Sequence, residues 1–326
     1  MRVVLIYRHP QPGDYSIEEL FHTIAEELGN YVEVIEYQAG TRWKTLTDIW
    51  QLRKLKADIY HVTGDINYFA FLLPHKRTVL TVHDIGNYLF GLRGLKRWLY
   101  GWIWFWLPLR AAHAITAGSA DTRDHIVRHF RILNEKIQVI NNCFSARLKP
   151  ISRPFQSELP VILQVGTKPY KNVPRLVDAL QGIRCQLVLI GRLDRALTAQ
   201  LNDKHIDYVN RFDLSQEEIV RQYADCDLVS FVSVGEGFGV PIIEAQATGR
   251  PLITSCISPL CDVAGDGACL VDPLDAEQIR HGIMKIISDP EYRETLIENG
   301  FRNVVRYSST SVSRQYIDLY RRVLPC

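Results

Sequence analysis

Short runs of valine, isoleucine and leucine alternate with helical patterns along the chain, and this alternation restricts its fold more than any other feature. Apolar runs of this kind are typical of parallel strands that helices cover on both faces. Two series of six strands are predicted, at Arg2–Tyr7, Val32–Tyr37, Asp58–Val62, Thr78–His83, Ala112–Ala117 and Lys136–Asn141, and at Val161–Val165, Gln186–Ile190, Ile206–Asn210, Asp227–Val232, Leu252–Ser255 and Ala268–Val271. We therefore expect an α/β fold with two Rossmann-like sheets.

A stretch at residues 145–160, rich in proline and serine, separates the two series of strands. A length of 326 residues suits two domains. The sequence predicts an N-terminal domain at residues 1–150, a C-terminal domain at residues 151–308 and a final helical segment at residues 309–326. Ligands of such sheets bind beyond the carboxyl ends of the strands, so the expected site is a cleft that the two sheets face.

The stretch Gly235–Gly249 directs backbone amides and two carboxylates at one place. Pro241 suits the first turn of a helix, and Gly249 provides a stop. Glycines before the helix let the backbone approach a ligand, and the helix N-terminus favours a phosphate without a metal. Glu236 in the loop and Glu244 in the helix can each face a polyhydroxylated ring. The pattern indicates a nucleotide-sugar site; the alternative is a buried turn with a helix cap.

A second phosphate-facing loop follows the strand Val161–Val165. It runs from Gly166 to Asn172, presents Lys168 and Lys171, and leads into a helix with apolar residues on one face. Asn172 is the predicted N-cap. Two lysines beside a helix start can neutralise a diphosphate leaving group. Lys168 also fits a purely solvated surface lysine.

His83 ends a predicted strand and is therefore expected to point into the cleft. The alternative is a structural histidine at the edge of the sheet. Asp84 either orients the imidazole or caps the next segment.

The two glutamates, with seven residues between them around Gly-Phe-Gly-x-Pro, resemble the signature of the family 4 retaining glycosyltransferases of the GT-B fold. The resemblance implies that Glu244 binds the ribose hydroxyls of the donor and that Glu236 binds the hydroxyls of the transferred sugar. It also implies that the amides of Phe238, Gly239 and Val240 contact sugar and phosphate oxygens.

Other positions follow the family pattern less closely. Lys171 matches the lysine of a Lys-Asn or Lys-Gly pair, whereas Tyr170 stands where many relatives have arginine, and Lys168 is expected to compensate. His83 is near the position at which similar proteins carry a histidine that approaches the donor sugar and phosphate. Relatives often carry a Gly-Gly loop after the first strand, where this chain has only Gly13. The final helix, at Thr310–Leu324, is expected to pack on the N-terminal domain as in relatives.

The resemblance implies a retaining transferase that moves a hexose, with mannose and glucose as alternatives, from a nucleoside-diphosphate sugar to a glycan or lipid-linked acceptor. Glu236 would orient and stabilise rather than attack, while His83 and the lysines polarise the donor. We expect no cofactor and no metal. The rival hypotheses are an epimerase or phosphorylase on the same fold, and a non-enzymatic scaffold with a degenerate donor site.

The basic residues are unevenly distributed. Net charge is only +2, yet residues 42–110 contain 11 Lys+Arg and 4 Asp+Glu. The segment Arg93–Arg110 holds four of the six tryptophans and is too short to span a bilayer. It fits either a helix lying on an anionic membrane or a helix in the domain core, and the basic surroundings favour the membrane.

Several classes of protein are disfavoured. The first strand is not followed by Gly-x-Gly-x-x-Gly, which argues against a dinucleotide enzyme, and no zinc-finger, RRM or basic-zipper pattern indicates a nucleic-acid partner. Seven scattered cysteines and an opening strand in place of a signal peptide favour the reducing cytosol without disulfides. Cys256, Cys261 and Cys269 lack the paired spacing of a zinc site. We expect a cytoplasmic enzyme, peripheral on the inner membrane face.

Overall fold

A computed structural model describes residues 1–9 and 16–324. These residues form two compact units. Unit 1 comprises the described residues of the ranges 1–145 and 307–326, and unit 2 comprises residues 146–306. The division falls at the start of the proline- and serine-rich stretch. Gly13, for which the resemblance implies donor contact, lies outside the described residues.

Unit 1 contains a parallel sheet of six strands in the order β2-β1-β3-β4-β5-β6. Its strands are β1 (Arg2–Tyr7), β2 (Glu33–Gln38), β3 (Ile59–Val62), β4 (Thr78–Val82), β5 (Ala114–Ala117) and β6 (Ile137–Val139). Its helices are α1 (Ser16–Leu28), α2 (Thr45–Lys54), α3 (Gly94–Tyr100), α4 (Leu107–Ala111), α5 (Ala120–Phe130) and, from the end of the chain, α13 (Ser309–Val323). The predicted final helix is thus present, and it packs against α1.

Unit 2 contains a second parallel sheet, in the order β12-β11-β10-β7-β8-β9. Its strands are β7 (Val161–Val165), β8 (Gln186–Ile190), β9 (Asp207–Arg211), β10 (Leu228–Phe231), β11 (Leu252–Ser255) and β12 (Cys269–Val271). Its helices are α6 (Val173–Leu180), α7 (Arg195–Asp203), α8 (Gln216–Asp225), α9 (Val240–Thr248), α10 (Leu260–Ala264), α11 (Ala276–Ser288) and α12 (Pro290–Val304). All twelve predicted strands are confirmed, with ends within two residues of the predicted ones.

The sheet of unit 1 is covered on both faces, as the apolar runs predict. Alternate residues of β1 point to opposite sides, so Ile6 joins a core with α2, α4 and α5, whereas Leu5 joins a core with α1 and α13. The second core includes Tyr320 of α13. The C-terminal helix is therefore an integral layer of unit 1.

The segment Arg93–Arg110 has one side in the core of unit 1 and another side exposed to solvent. α3, a π-helical stretch at Gly101–Trp106 and α4 together form a helical run from residue 94 to residue 111. Phe105 and Leu109 on one side are buried in the core of unit 1. On the other side Leu95, Trp98, Leu99, Trp102 and Ile103 are exposed, and we call these five residues the aromatic stripe.

A buried polar network joins α13 to the sheet. The imidazole of His61, at the centre of β3, is fully buried and lies 2.7 Å from the Tyr320 hydroxyl through Nδ1 and 2.7 Å from the Thr81 hydroxyl through Nε2. The Thr81 hydroxyl in turn lies 2.6 Å from that of Thr116. Burial, together with a smaller effect of the nearby His83, lowers the pKa of His61 to about 3. The ring is therefore neutral at physiological pH.

This burial makes the stability of the protein depend on pH. An exposed histidine in the unfolded chain titrates at about pH 6.5. Between about 3 and about 6.5 the unfolded chain binds the additional proton, so His61 reduces the free energy of unfolding as the pH falls, by about 1.4 kcal/mol per pH unit.

We expect His61→Gln to be less stable than wild type at neutral pH, with a gap that shrinks by about 2 kcal/mol as the pH falls from about 7 to about 5. Urea denaturation at a series of pH values measures the gap. Tyr320→Phe perturbs the same network but retains the imidazole, and it should keep the pH dependence of the wild type. A gap between wild type and His61→Gln that does not change with pH contradicts the prediction.

Candidate functional site

The order of strands in unit 2 marks a place for a ligand. When the six strands of unit 2 are renumbered 1 to 6 in chain order, their order from β9 to β12 is 3-2-1-4-5-6. The chain therefore adds β8 and β9 on one side of β7, and then adds β10, β11 and β12 on the other side, so the strand order reverses between β7 and β10. Loops that follow two such strands separate and leave a crevice at the carboxyl edge of the sheet. The two sequence-predicted loops, residues 166–172 and 232–239, follow β7 and β10. The topology therefore brings both to the same crevice.

The loop and helix predicted at Gly235–Gly249 are confirmed by local geometry. Gly239 precedes α9 with a φ of 101°, and a Cβ there would lie 2.7 Å from a methyl group of Leu260. Only glycine fits this position. Pro241 occupies the first turn, and Gly249 ends the helix with a φ of 70°. Pro241 has no N–H, and the N–H of Ile242 donates to the carbonyl of Gly239 at 3.0 Å, so the amides that the start of α9 can offer a ligand are those of Gly239 and Val240.

Asn172 has a different role from the predicted N-cap. It precedes α6 but has a left-handed backbone, with a φ of 60°, and its side chain does not cap the helix. Its buried amide instead donates to the carbonyl of Val232 at 2.9 Å and to that of Pro273 at 2.7 Å. The N–H of Val234 adds a bond of 2.9 Å to the carbonyl of Tyr170. These bonds hold the two loops against each other.

The fixed loops bring Lys171 and Glu236 together. Lys171 Nζ lies 2.7 Å from Glu236 Oε1, and the two side chains are only 13% and 12% exposed. The ammonium also lies 4.4 Å from the centre of the Phe231 ring. Gly166 makes room for the lysine, because a Cβ at this position would lie 2.8 Å from Lys171 Cε. Two residues that the sequence assigns to phosphate and to sugar thus form one ion pair.

Glu244 is positioned by a residue that the sequence does not single out. The hydroxyl of Tyr223, a fully buried residue of α8, donates to Glu244 Oε2 at 2.6 Å. Desolvation raises the pKa of Glu244, while the Tyr223 hydrogen bond and the charge of Lys171 lower it. The Tyr223 hydroxyl therefore holds the carboxylate in place through one oxygen, and both this hydroxyl and the Lys171 ammonium stabilise its negative charge.

α8 holds Tyr223 from both ends. At its start Ser215 and Glu218 form a capping box, in which each side chain accepts a hydrogen bond from the other residue's N–H. At its end the buried guanidinium of Arg250, which directly follows the stop glycine of α9, donates to the carbonyl of Tyr223 at 2.9 Å. The capping box thus fixes the start of α8, and Arg250 ties its end to the end of α9.

The remaining predicted donor-binding residues of unit 2 lie on the same two loops. Lys168 is exposed, and in the described part of the chain its ammonium has neither a hydrogen bond nor an ion pair. Phe238 turns its side chain into the core, and Val240 begins α9. Any contact of Phe238 or Val240 with a phosphate would therefore come from the backbone.

His83 belongs to unit 1, at the carboxyl end of β4. Its Nε2 lies 2.7 Å from the carbonyl oxygen of Thr63, which can only accept, so this nitrogen carries the proton. Gly64, with a φ of 145°, leaves space for the ring, because a Cβ there would lie 2.6 Å from His83 Cδ2. Asp84 accepts from the N–H of Gly86 at 2.8 Å and therefore caps the next segment. The ring of His83 is fixed with Nδ1 as its second polar atom.

A charged cluster that the sequence does not reveal lies at the same edge of unit 1. Arg8 follows β1 and is buried, with its guanidinium 2.6 Å from a carboxylate oxygen of Glu18 and 2.7 Å from one of Asp65. Asp65 follows β3, the strand next to β1. The sheet order of unit 1 reverses between these two strands, so an arginine stands close to the place where the family resemblance leads us to expect a Gly-Gly loop.

Within residues 1–9 and 16–324, no three histidine, cysteine, aspartate or glutamate side chains converge as metal ligands, and none of the helices is long and apolar enough to cross a membrane. The cysteines described are free thiols, at positions 143, 185, 226, 256, 261 and 269.

Both halves of the chain match known family models. Residues 148–303 match the model described as Glycosyl transferases group 1, and residues 3–147 match the model described as Glycosyltransferase Family 4. The two matches are adjacent and together cover nearly the whole chain.

The chain is also similar to curated mannosyltransferases and to solved structures. The chain is 27% identical to O-antigen chain mannosyltransferase B of Escherichia coli, over 83% of this chain and 76% of that protein. It is 27% identical to an MMP alpha-(1->4)-mannosyltransferase of Mycolicibacterium hassiacum, over 71% of this chain but only 59% of that protein. Anabaena Alr3699/HepE, crystallised with UDP and glucose, superposes with a TM-score of 0.80 at 16% identity, over 99% of this chain and 100% of that one. This likeness shows the GT-B fold.

The contacts of Glu244 predict how its pKa responds to substitution. Tyr223→Phe removes a hydrogen bond and Lys171→Met removes a positive charge, and both groups lower the pKa of Glu244. We expect each variant to raise this pKa above its wild-type value, and Lys168→Met, which removes an exposed charge, to leave it unchanged. A ¹³C NMR titration of the carboxyl resonance, assigned by its loss in Glu244→Gln, measures the pKa. An unchanged value in Tyr223→Phe would show that the hydroxyl does not support the carboxylate.

Proposed function

The chain belongs to the family 4 glycosyltransferases, the group 1 family with the GT-B fold, and from this premise we propose that it transfers a hexose from a nucleoside-diphosphate sugar to a glycan or lipid-linked acceptor with retention of anomeric configuration. The observation that carries the proposal is the placement of Lys171, Glu236 and Glu244 around the N-terminus of α9 at the switch point of unit 2. Cations, amides and carboxylates in this arrangement suit phosphates and sugar hydroxyls.

Each group has a role in binding the donor. The N–H groups of Gly239 and Val240, at the N-terminus of α9, donate hydrogen bonds to the diphosphate oxygens, with Lys171 as the nearest cation. Glu244 accepts hydrogen bonds from the ribose hydroxyls with the oxygen that Tyr223 leaves available. Glu236 accepts from hydroxyls of the transferred hexose.

The reaction breaks the bond between the anomeric carbon and the diphosphate oxygen, which keeps the electron pair. The acceptor hydroxyl attacks from the same face, and its proton passes to the departing phosphate. Lys171 stabilises the charge that develops on that phosphate. Glu236, already paired with an ammonium at 2.7 Å, is a weak nucleophile and orients the sugar instead. This chemistry uses no divalent metal and no further cofactor.

His83 contributes from unit 1. With its proton on Nε2, the neutral ring presents Nδ1 as an acceptor for a sugar hydroxyl, and in the protonated ring Nδ1 donates to a phosphate oxygen. Either contact polarises or orients the donor.

The names of similar proteins support a choice of donor sugar. Two of the most similar curated proteins are named mannosyltransferases, one of them for the O-antigen chain, and the HepE structure contains UDP and glucose. We therefore propose mannose first and glucose second as the transferred sugar, in the synthesis of a cell-surface polysaccharide. The enzyme would act in the cytoplasm on the inner face of the membrane.

The aromatic stripe supports contact with that membrane. Trp98 and Trp102 stack with ring centres 6.2 Å apart and are 62% and 42% exposed. Arg97 on the same helical run lies over the Tyr88 ring, and Lys96 follows Leu95. Tryptophan beside basic residues is typical of helices that lie in the interface of an anionic bilayer.

Nucleotide binding is the first test. We expect one of UDP, GDP, ADP and dTDP to raise the free energy of unfolding by about 2.7 kcal/mol at about 100 times its dissociation constant. Glu244→Ala should abolish the effect, and Lys168→Ala, on the exposed part of the site, should weaken it only slightly. Thermal denaturation measures it. Stabilisation by none of the four would favour a non-enzymatic scaffold.

Transfer itself is the second test. Lys171→Ala should lower kcat about 100-fold, because it removes the cation nearest the leaving group, whereas Lys168→Ala should change kcat much less. The ¹H NMR coupling constant of the anomeric proton in the product should show retention, and EDTA should not slow the reaction. Conversion of the donor sugar without any acceptor would instead identify an epimerase, and equal rates for wild type and Lys171→Ala would refute the role of the lysine.

A further inference from the structure

A second exposed apolar surface lies on α2 and the turn before it. Trp43, Leu46 and Trp50 are 97%, 79% and 61% exposed, and their spacing of three and four residues places them along one side of the helix. We call these three residues the α2 stripe. The opposite side of α2 packs Ile49 and Leu52 into the core, so the stripe is not a core face left uncovered. Contiguous exposed apolar surface of this kind marks a site of interaction.

The α2 stripe and the aromatic stripe lie on the same side of unit 1. α2 and the helical run 94–111 pack into the same core on one face of the sheet, with the turn Asn67–Phe71 in contact with the run. Arg53 of α2 donates to the carbonyl of Leu72, just beyond that turn, at 2.8 Å. Phe71, the last residue of that turn, is 39% exposed and adds apolar surface.

Both stripes also begin near the same edge of the sheet. Helices that follow parallel strands start at the carboxyl edge. Leu46 is the second residue of α2 and Leu95 is the second residue of α3, so each stripe occupies the first turns of its helix. The carboxyl edge of this sheet carries His83.

Basic side chains flank the stripes. Lys44 and Lys54 flank the α2 stripe, and Lys54 Nζ lies 3.1 Å from the centre of the Trp50 ring. Asp48 and Glu36 lie near Lys44, with which they line one pocket, whereas Asp65 pairs with Arg8 at the edge of the sheet. Residues 42–110 still contain 11 Lys+Arg against 4 Asp+Glu, and this excess of positive charge favours an anionic surface as the partner of the stripes.

We propose that the α2 stripe is a second membrane anchor, which with the aromatic stripe holds the carboxyl edge of unit 1 beside an anionic lipid bilayer. The inference rests on the proposed function only in that it deepens the membrane contact assigned there to Arg93–Arg110. One interfacial helix leaves a protein free to rotate about the helix axis. A second anchor removes that freedom, so the edge with His83 stays at the depth where a lipid-linked acceptor presents its head group.

Vesicle sedimentation tests the proposal. The full chain is mixed at low salt with vesicles of phosphatidylcholine and phosphatidylglycerol, and with vesicles of phosphatidylcholine alone. Trp43→Ser/Leu46→Ser/Trp50→Ser should lower the partition coefficient on the anionic vesicles about tenfold or more, since three apolar side chains lose their place in the interface. The matched control Leu159→Ser/Leu274→Ser removes side chains of unit 2 that are 44% and 65% exposed and should bind as wild type does.

Charge is tested separately from apolar contact. Lys44→Glu/Lys54→Glu should weaken binding to the anionic vesicles and leave the weak binding to neutral vesicles unchanged. Circular dichroism and the melting temperature of each variant show whether it remains folded.

Three results would overturn the proposal. The first is a triple variant that partitions as wild type does. The second is a dimer, detected by analytical ultracentrifugation without vesicles, that the triple variant loses, because the stripe would then contact a second copy. The third is binding of a soluble polysaccharide through the stripe without binding of vesicles. None of these readouts requires catalysis, so a failure of the transfer assay would not affect them, and transfer to a soluble acceptor should be the same in the triple variant and in wild type.

Discussion

The site in unit 2 depends on one buried amide, that of Asn172. Both of its N–H groups are used, by the carbonyls of Val232 and Pro273, which belong to loops after two other strands. A residue without an amide would leave the buried carbonyl of Val232 unpaired, at about 1–3 kcal/mol, whereas that of Pro273 would keep its 3.2 Å bond from Arg175. Asparagine also tolerates the left-handed backbone that turns the chain from the loop into α6. The position of Lys171, the preceding residue, therefore follows from the hydrogen bonds of its neighbour.

Lys171 is the cation that two carboxylates share. It forms an ion pair with Glu236 and lowers the pKa of Glu244, whose charge desolvation opposes. A bound diphosphate would compete with Glu236 for the Lys171 ammonium. The donor must therefore offer Glu236 other hydrogen-bond donors in place of the part of this ion pair that is lost. Hexose hydroxyls can do so, because they donate hydrogen bonds without charge. Only a ligand with both phosphate and hydroxyl groups keeps all three residues satisfied, and free phosphate or free sugar does not.

How much of this was predictable depends on the distance between partners in the sequence. The strands and the loop-helix at Gly235–Gly249 follow from local periodicity and from glycine and proline, and these predictions are confirmed. Asn172 bonds to residues 60 and 101 positions away, and Tyr223 to one 21 positions away, so no local pattern links them. Strand order, which makes the β7–β10 edge a crevice, is likewise set by tertiary packing. The segment Arg93–Arg110 was ambiguous because it is apolar on two sides, one buried and one exposed.

Parallel sheets place loops of chemical interest at carboxyl edges, and in unit 1 the same geometry places the first turns of the covering helices there. Exposed tryptophans on those turns couple the edge to whatever surface they contact. If that surface is a bilayer, a lipid-linked acceptor is confined to a thin layer beside the enzyme, which raises its effective concentration without any added contact. Little specific affinity for the acceptor is then needed. The donor differs because it is soluble and must be captured from dilute solution. The contrast would explain why the site proposed for the nucleotide sugar is buried and hydrogen-bonded, whereas the surface proposed for the membrane is broad and apolar.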